Sequence, residues 1–106
     1  PEAFAGAGNT LVCEALEAEG VGAWEGYQPM SRYDLFQPGL SRLPVAVEHA
    51  QRLDPAGMSF PVAERAGLRE AVYLDENVFR AGAAGVEDAV EALAKVQRHA
   101  AELTAS

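Results

Sequence analysis

Lys95 is the only lysine in the sequence, and lysine is the side chain that forms Schiff bases with carbonyl compounds. A lysine with that role must project into a closed pocket where its amine can lose a proton. On a helical wheel Lys95 lies almost opposite Val90 and Leu93, so it is expected to point to water as a solvated helix residue. His99 falls on the polar side of the same helix and reads as a surface residue. His49 shares one side of a short helix with Val45, Ala46 and Leu53, which predicts a semi-buried, hydrogen-bonded histidine or one at a contact surface. A catalytic base is the alternative there, without a visible partner. Neither histidine has metal-ligand spacing to a second ligand. Cys13 lies at the edge of an apolar helix face, with nothing nearby to lower its pKa, and reads as a structural thiol. Asp75 and Glu76 are adjacent acids that read as a solvated loop start. Gly6-Ala7-Gly8 has no strand before it and no lysine after it, which makes it a poor phosphate loop. The serines have no base near them in sequence. These residues alone support an acidic α+β domain and no specific chemistry.

The elements that would hold these residues follow from periodicity. A first helix is predicted to begin at Asn9 or Thr10, which can cap it, and to run to Glu19 with Leu11, Val12, Ala15 and Leu16 on one side. Gly20 ends it in the left-handed conformation. Residues 21–25, with Val21, Ala23 and Trp24, read as a short strand. Residues 26–43 read as a long loop holding Pro29, Pro38 and Gly39 together with Tyr27, Tyr33 and Phe36. Loops of this length are uncommon in compact domains and are often functional. Its aromatics either fold back on the domain's own core or await cover from elsewhere. Short helices are predicted at 44–53, opened by Pro44, and at 61–67, opened by Pro61, with a turn at Asp54-Pro55-Ala56-Gly57 between them. Residues 70–74 are the best strand candidate. Residues 85–103 form a long amphipathic helix with Val86, Val90, Leu93, Val96, Ala100 and Leu103 as its apolar stripe. Glu87 and Asp88 sit in its first turn, and Glu91 pairs with Lys95 on its exposed side. The fold class is therefore α+β: a small sheet of few strands covered by helices, ending in a long C-terminal helix. Two short strands make a marginal sheet, so either a strand is missing from this reading or the sheet is completed by something else.

The composition removes whole classes of function. The 106 residues suit one domain with one modest core. Nearly half are hydrophobic, which excludes a disordered tail. The formal charge of −8, with the basic residues nearly all arginine and scattered, argues against nucleic acid or an anionic membrane as partner. No apolar run of membrane-spanning length and no signal peptide is evident, so a soluble protein is expected. A single cysteine cannot form an internal disulfide and fits a reducing cytoplasm.

The ordered set of segments says more than any one residue. Ala15-Leu16-Glu17-Ala18-Glu19-Gly20-Val21, Gly26-Tyr27-Gln28-Pro29, Leu35-Phe36, Pro61-Val62-Ala63-Glu64-Arg65-Ala66 and Glu70-Ala71-Val72-Tyr73-Leu74, followed by the closing helix, cover nearly the whole chain. In that order they resemble the C-terminal small domain of the DegT/DnrJ/EryC1/StrS aminotransferases, which act on keto-sugars and keto-cyclitols. The resemblance implies a type I fold for the complete enzyme, with pyridoxal phosphate (PLP) as cofactor. Its large N-terminal domain supplies the Schiff-base lysine and most cofactor contacts. The resemblance places no catalytic and no cofactor-binding residue in this chain, and no cofactor is expected on the chain alone. By position, Tyr27, Ser31 and Arg32 would lie nearest the substrate. Ser31 stands where many relatives carry histidine, and Phe79-Arg80 where aliphatic residues are frequent. A further strand would precede Pro1. The implied partner is a large aminotransferase domain or a second subunit, in a homo- or hetero-oligomer. The expected function is a wall of the substrate pocket in an amino transfer from glutamine or glutamate. The alternative is a non-catalytic interaction or oligomerisation module working through its sheet edge and loop.

Overall fold

The structure is a computed structural model that describes residues 1–105 of the chain. Its body is built on helix α1 (Asn9–Ala18), packed against the long helix α6 (Gly82–Arg98). Among the described residues Leu16 is the one large side chain with no exposed surface, and it shares the core with Val12, Cys13, Val21 and Ala23. α6 meets them with Ala89, Ala92 and Val96. Alanines there let two helix backbones approach closely, but they bury little apolar area each. The core is therefore tight and small.

α1 ends as predicted. The Val21 N–H donates to the Leu16 carbonyl and the Gly20 N–H to the Glu17 carbonyl, both at 2.9 Å, with Gly20 at φ +85°. This is the paired closure that a glycine in the left-handed region allows. The chain then enters strand β1 (Ala23–Trp24), which pairs antiparallel with β2 (Tyr73–Leu74) in the register Ala23 to Leu74 and Trp24 to Tyr73. Among the described residues the sheet has these two strands alone. The α+β class stands, and the sheet is as small as its sequence allowed.

Several boundaries differ from expectation. The second strand does not span 70–74, because Ala66–Glu70 is a π turn that follows helix α4 (Pro61–Arg65). The loop at 26–43 contains three single 3₁₀ turns, Met30–Arg32, Asp34–Phe36 and Pro38–Leu40. The helix expected at 44–53 breaks at His49 into α2 (Pro44–Glu48) and α3 (Ala50–Leu53), and His49 is exposed, not semi-buried. One break in a two-turn helix rotates its residues off the predicted face. The turn at 54–57 is capped by the Asp54 carboxylate, which accepts from the Ala56 N–H at 2.9 Å. Helix α5 (Glu76–Arg80) was not anticipated, and Asp75 and Glu76 open it. α6 begins at Gly82, one turn early, so Glu87 and Asp88 are not in its first turn. It stops at His99 before a last turn, α7 (Ala100–Leu103).

The predicted faces of the two main helices hold in part: Val12 and Leu16, and Val96 and Ala100, are buried as expected. α6 buries Ala89, Ala92 and Val96, while Val86, Val90 and Leu93 stay exposed. Leu11 of α1 is exposed and Cys13 takes its place in the core. Weighting by hydrophobicity favoured the larger residues; close helix packing selected the smaller ones. Burial raises the Cys13 thiol pKa to about 11, helped by Glu25, Glu17 and Glu14. With its thiolate disfavoured and its side chain buried, Cys13 should react at pH 8 at least about ten-fold more slowly with a thiol reagent than an exposed cysteine. A rate equal to that of free cysteine, measured with 5,5′-dithiobis(2-nitrobenzoate), would contradict the packing of α1.

The molecule is elongated, 55 × 33 × 20 Å, with a radius of gyration of 18.4 Å. A compact chain of this length has about 13 Å. Its accessible surface is 7653 Å². A folded monomer of this mass exposes roughly 5,700 Å². Most of the exposed large apolar side chains lie on residues 26–60, here termed the arm. No helix among the described residues is long and apolar enough to cross a membrane.

Candidate functional site

The arm differs from the body in chemistry. Arg32, Arg42 and Arg52 balance Asp34, Glu48 and Asp54, so the arm is neutral and the whole −8 sits on the remaining residues. Its apolar side chains are largely uncovered: Leu35 is 85% exposed, and Met30, Leu40 and Leu43 are exposed as well. Tyr33 and Phe36 are partly covered by this chain itself. Contiguous apolar surface of this kind marks an interaction site.

At the base of the arm, Ser31 and Arg32 lie on the first 3₁₀ turn, started by Pro29. Proline presets the backbone angle such a turn needs. The Gln37 side chain donates from Nε2 to the Ser31 carbonyl at 2.9 Å and ties the next turn back onto the first. Together they border a polar hollow of about 510 Å³ that Gln28 and Glu64 also line. Two amides, a hydroxyl, a guanidinium and a carboxylate converge there. Among the described residues Arg32 makes no ion pair, so its donors are free. On the other side of Ser31 and Pro55 is an apolar hollow of about 400 Å³, walled by Met30, Phe36, Leu53 and Phe60.

Tyr27 is not part of this group. It is 73% exposed and stands edge-on to Trp24, ring centroids 5.3 Å apart, while Trp24 packs on Tyr73 at the same separation. The structure thus joins two of the three residues singled out in sequence and sets the third at the root of the arm. Gln28, Gln37 and Glu64 were missed. Gln28 and Gln37 carried a signal, as polar residues flanking prolines in a functional-looking loop. Glu64 carried none, since only the fold brings α4 under the arm.

Lys95 borders an open hollow, and its amine is held by a carboxylate. Its Nζ lies 2.7 Å from both carboxylate oxygens of Glu19, not beside Glu91, and its side chain is 54% exposed. An exposed i,i+4 pair contributes only a few tenths of a kcal/mol, so the competing partner at the C-terminal end of α1 displaces it. His99 is exposed, with Nδ1 2.8 Å from Glu102. The hollow around Lys95 is lined by Glu19, Asp88 and Glu91. Arg98 lines it as well, but three carboxylates outnumber the two cations and Lys95 is already paired with Glu19, so this group does not fit the phosphate of PLP. Among the described residues no cluster of three or more His, Cys, Asp or Glu could hold a metal ion.

No protein-family model matches the chain, and no solved structure matches it. Known proteins do. A protein of Streptoalloteichus tenebrarius, provisionally named L-glutamine:3-amino-2,3-dideoxy-scyllo-inosose aminotransferase, is 36% identical over 103 residues, 93% of this chain and 24% of the relative. The L-glutamine:2-deoxy-scyllo-inosose aminotransferase of the same organism is 35% identical over 106 residues, 98% of this chain and 25% of the relative. Its namesake in Streptomyces lividus is 35% identical over 100 residues, 92% and 23%. The resemblance read from the sequence holds: over nearly all its length the chain is similar to aminotransferases that act on cyclitols. It spans about a quarter of the length of these curated relatives.

Proposed function

We propose that this chain is the small-domain part of a PLP-dependent aminotransferase of keto-cyclitols or keto-sugars, where it forms one wall of the substrate pocket. The observation that carries the reading is surface. A chain similar to a quarter of such an enzyme exposes roughly 2,000 Å² more than a folded monomer of its mass should. Standard interfaces cover about 800 Å² per partner. The exposed surplus is large enough, and the neutral, apolar arm has the character of a face that the rest of an enzyme covers.

PLP supplies the electron sink for amino transfer when bound. The lysine and phosphate contacts for it belong to polypeptide other than these residues, since Lys95 is engaged with Glu19. This chain's own residues bind and orient. The hydroxyl, amides and guanidinium around Ser31 and Arg32 suit a polyhydroxylated ring, whose oxygens accept and donate in every direction. Tyr27, on its aromatic root, would line the entrance with its ring, not touch the sugar.

The test is reconstitution. The chain and the remaining three quarters of a relative such as the 2-deoxy-scyllo-inosose enzyme are produced separately and assayed for amino transfer from glutamine. Activity is expected with both parts together and with neither alone. When the chain alone is mixed with PLP and treated with borohydride, Lys95 is expected to stay unmodified. A reduced adduct on Lys95, or failure of the two parts to associate, overturns the reading. The same surface would serve a second copy of the chain if it works as an oligomerisation module, and the free edges of its two-stranded sheet favour that reading. Light scattering of the chain alone distinguishes the two: concentration-dependent dimers support the module, monomers that bind the large part support the enzyme.

A further inference from the structure

Beneath the root of the arm the backbone takes a rare form. The π turn Ala66–Glu70 is closed by the Ala71 N–H donating to the Ala66 carbonyl at 2.7 Å. Such turns recur at functional sites. This one is pinned from outside. Asn9, on the first turn of α1 and 3% exposed, donates through Nδ2 to the Ala71 carbonyl at 3.2 Å and reaches the Gly67 carbonyl at 3.5 Å. Its Oδ1 accepts from the Thr10 N–H at 3.2 Å. Sequence marked Asn9 as a cap, but Gly8 occupies the cap position and the Asn9 amide turns instead to the π turn.

Gly67 carries the contact onward. A Cβ at this position would lie 3.0 Å from the Tyr27 carbonyl oxygen and 3.1 Å from Pro29 Cδ. The arm root therefore rests directly on the backbone of the π turn, and Pro29 is buried there. Two residues later come Ser31 and Arg32.

We propose that Asn9 and Gly67 are positioning residues for the arm. Asn9 holds the π turn against α1, Gly67 gives the arm root its seat, and together they set where Ser31 and Arg32 stand. The consequence for substrate rests on the function proposed above; the seat itself does not.

The test places spin labels on the arm and the body, at Leu40→Cys and Glu102→Cys in a Cys13→Ala background, and reads the distance distribution by double electron–electron resonance. Asn9→Asp keeps the size and removes the donor, turning a carboxylate toward two carbonyls. Losing a buried hydrogen bond this way should raise the population with a released arm about ten-fold, seen as a broadened distribution while far-UV circular dichroism keeps its helix signal. Gly67→Ala should shift the mean distance, because Tyr27 and Pro29 must give way. If Asn9→Asp unfolds the chain, Gly67→Ala decides: an unchanged distribution overturns the proposal. In the reconstituted enzyme both variants should raise KM for the cyclitol more than they lower kcat. An arm that moves without any change in KM retains the seat and removes the pocket-wall function. An arm that does not move removes the seat, whatever happens to KM.

Discussion

Arg32→Ala in the reconstituted enzyme is expected to raise KM for the keto-cyclitol roughly 10- to 100-fold, with kcat little changed. A hydrogen bond from a charged donor contributes about 1.5–3 kcal/mol, which is that range of affinity. On the proposed function Arg32 would grip a part of the substrate that does not react, and binding that is equal in ground and transition states moves KM alone. Among the described residues Arg32 makes no ion pair, although the Glu64 carboxylate lines the same hollow, so its donors remain open to a ligand. Arg32→Lys should recover only part of the effect, since a point charge cannot reproduce the guanidinium fork. An unchanged KM would remove Arg32 from the site. A fall in kcat at constant KM would instead assign it to the chemistry.

The second large effect concerns the body. Leu16→Ala is expected to destabilise the chain by about 2–5 kcal/mol, the range for a buried leucine. Leu16 is the largest side chain fully removed from water, and its neighbours are mostly alanine and valine, which cannot move in to fill the gap. Domains are stable by only about 5–15 kcal/mol, and one with so small a core belongs near the lower limit. Urea unfolding followed by circular dichroism should show the midpoint fall steeply or the cooperative transition vanish. Leu11→Ala, on the exposed side of the same helix, is the control and should change stability by about 0.5 kcal/mol or less. Equal losses at both positions would mean that α1 is rotated from the face described here.

Sequence and structure agree most closely where the interaction is local. The end of α1 at Gly20, the turn capped by Asp54 and the entry of α4 at Pro61 are each fixed by one or two residues acting on their own neighbours. Disagreement appears where the decision is taken at a distance. Lys95 passes over Glu91 for Glu19, 76 positions away, because two helices happen to meet. Asn9 leaves its cap for carbonyls some 60 positions on. On α6 the predicted Val96 is buried, but Ala89 and Ala92 take the places expected for Val86, Val90 and Leu93, because α1 comes close enough to require small residues.

The site divides the same way. Ser31 and Arg32 were singled out through the likeness to known aminotransferases, and the structure sets both on the border of one polar hollow. Tyr27 came with them by proximity along the chain, and its ring stands edge-on to Trp24 while staying 73% exposed. Glu64 and the two glutamines entered only when the fold laid α4 beneath the arm.

By itself the sequence determined the α+β class, the acidic charge, the end of α1 at Gly20 and the likeness to known aminotransferases, because these depend on composition, on neighbouring residues and on the order of segments. Tertiary structure alone decided which helix faces are buried, that the apolar side chains of the neutral arm stay largely uncovered, and which polar groups meet around Arg32. The reason is that these are contacts between residues far apart in the chain, chosen by shape and by how closely backbones can approach, and no pattern along the chain records them.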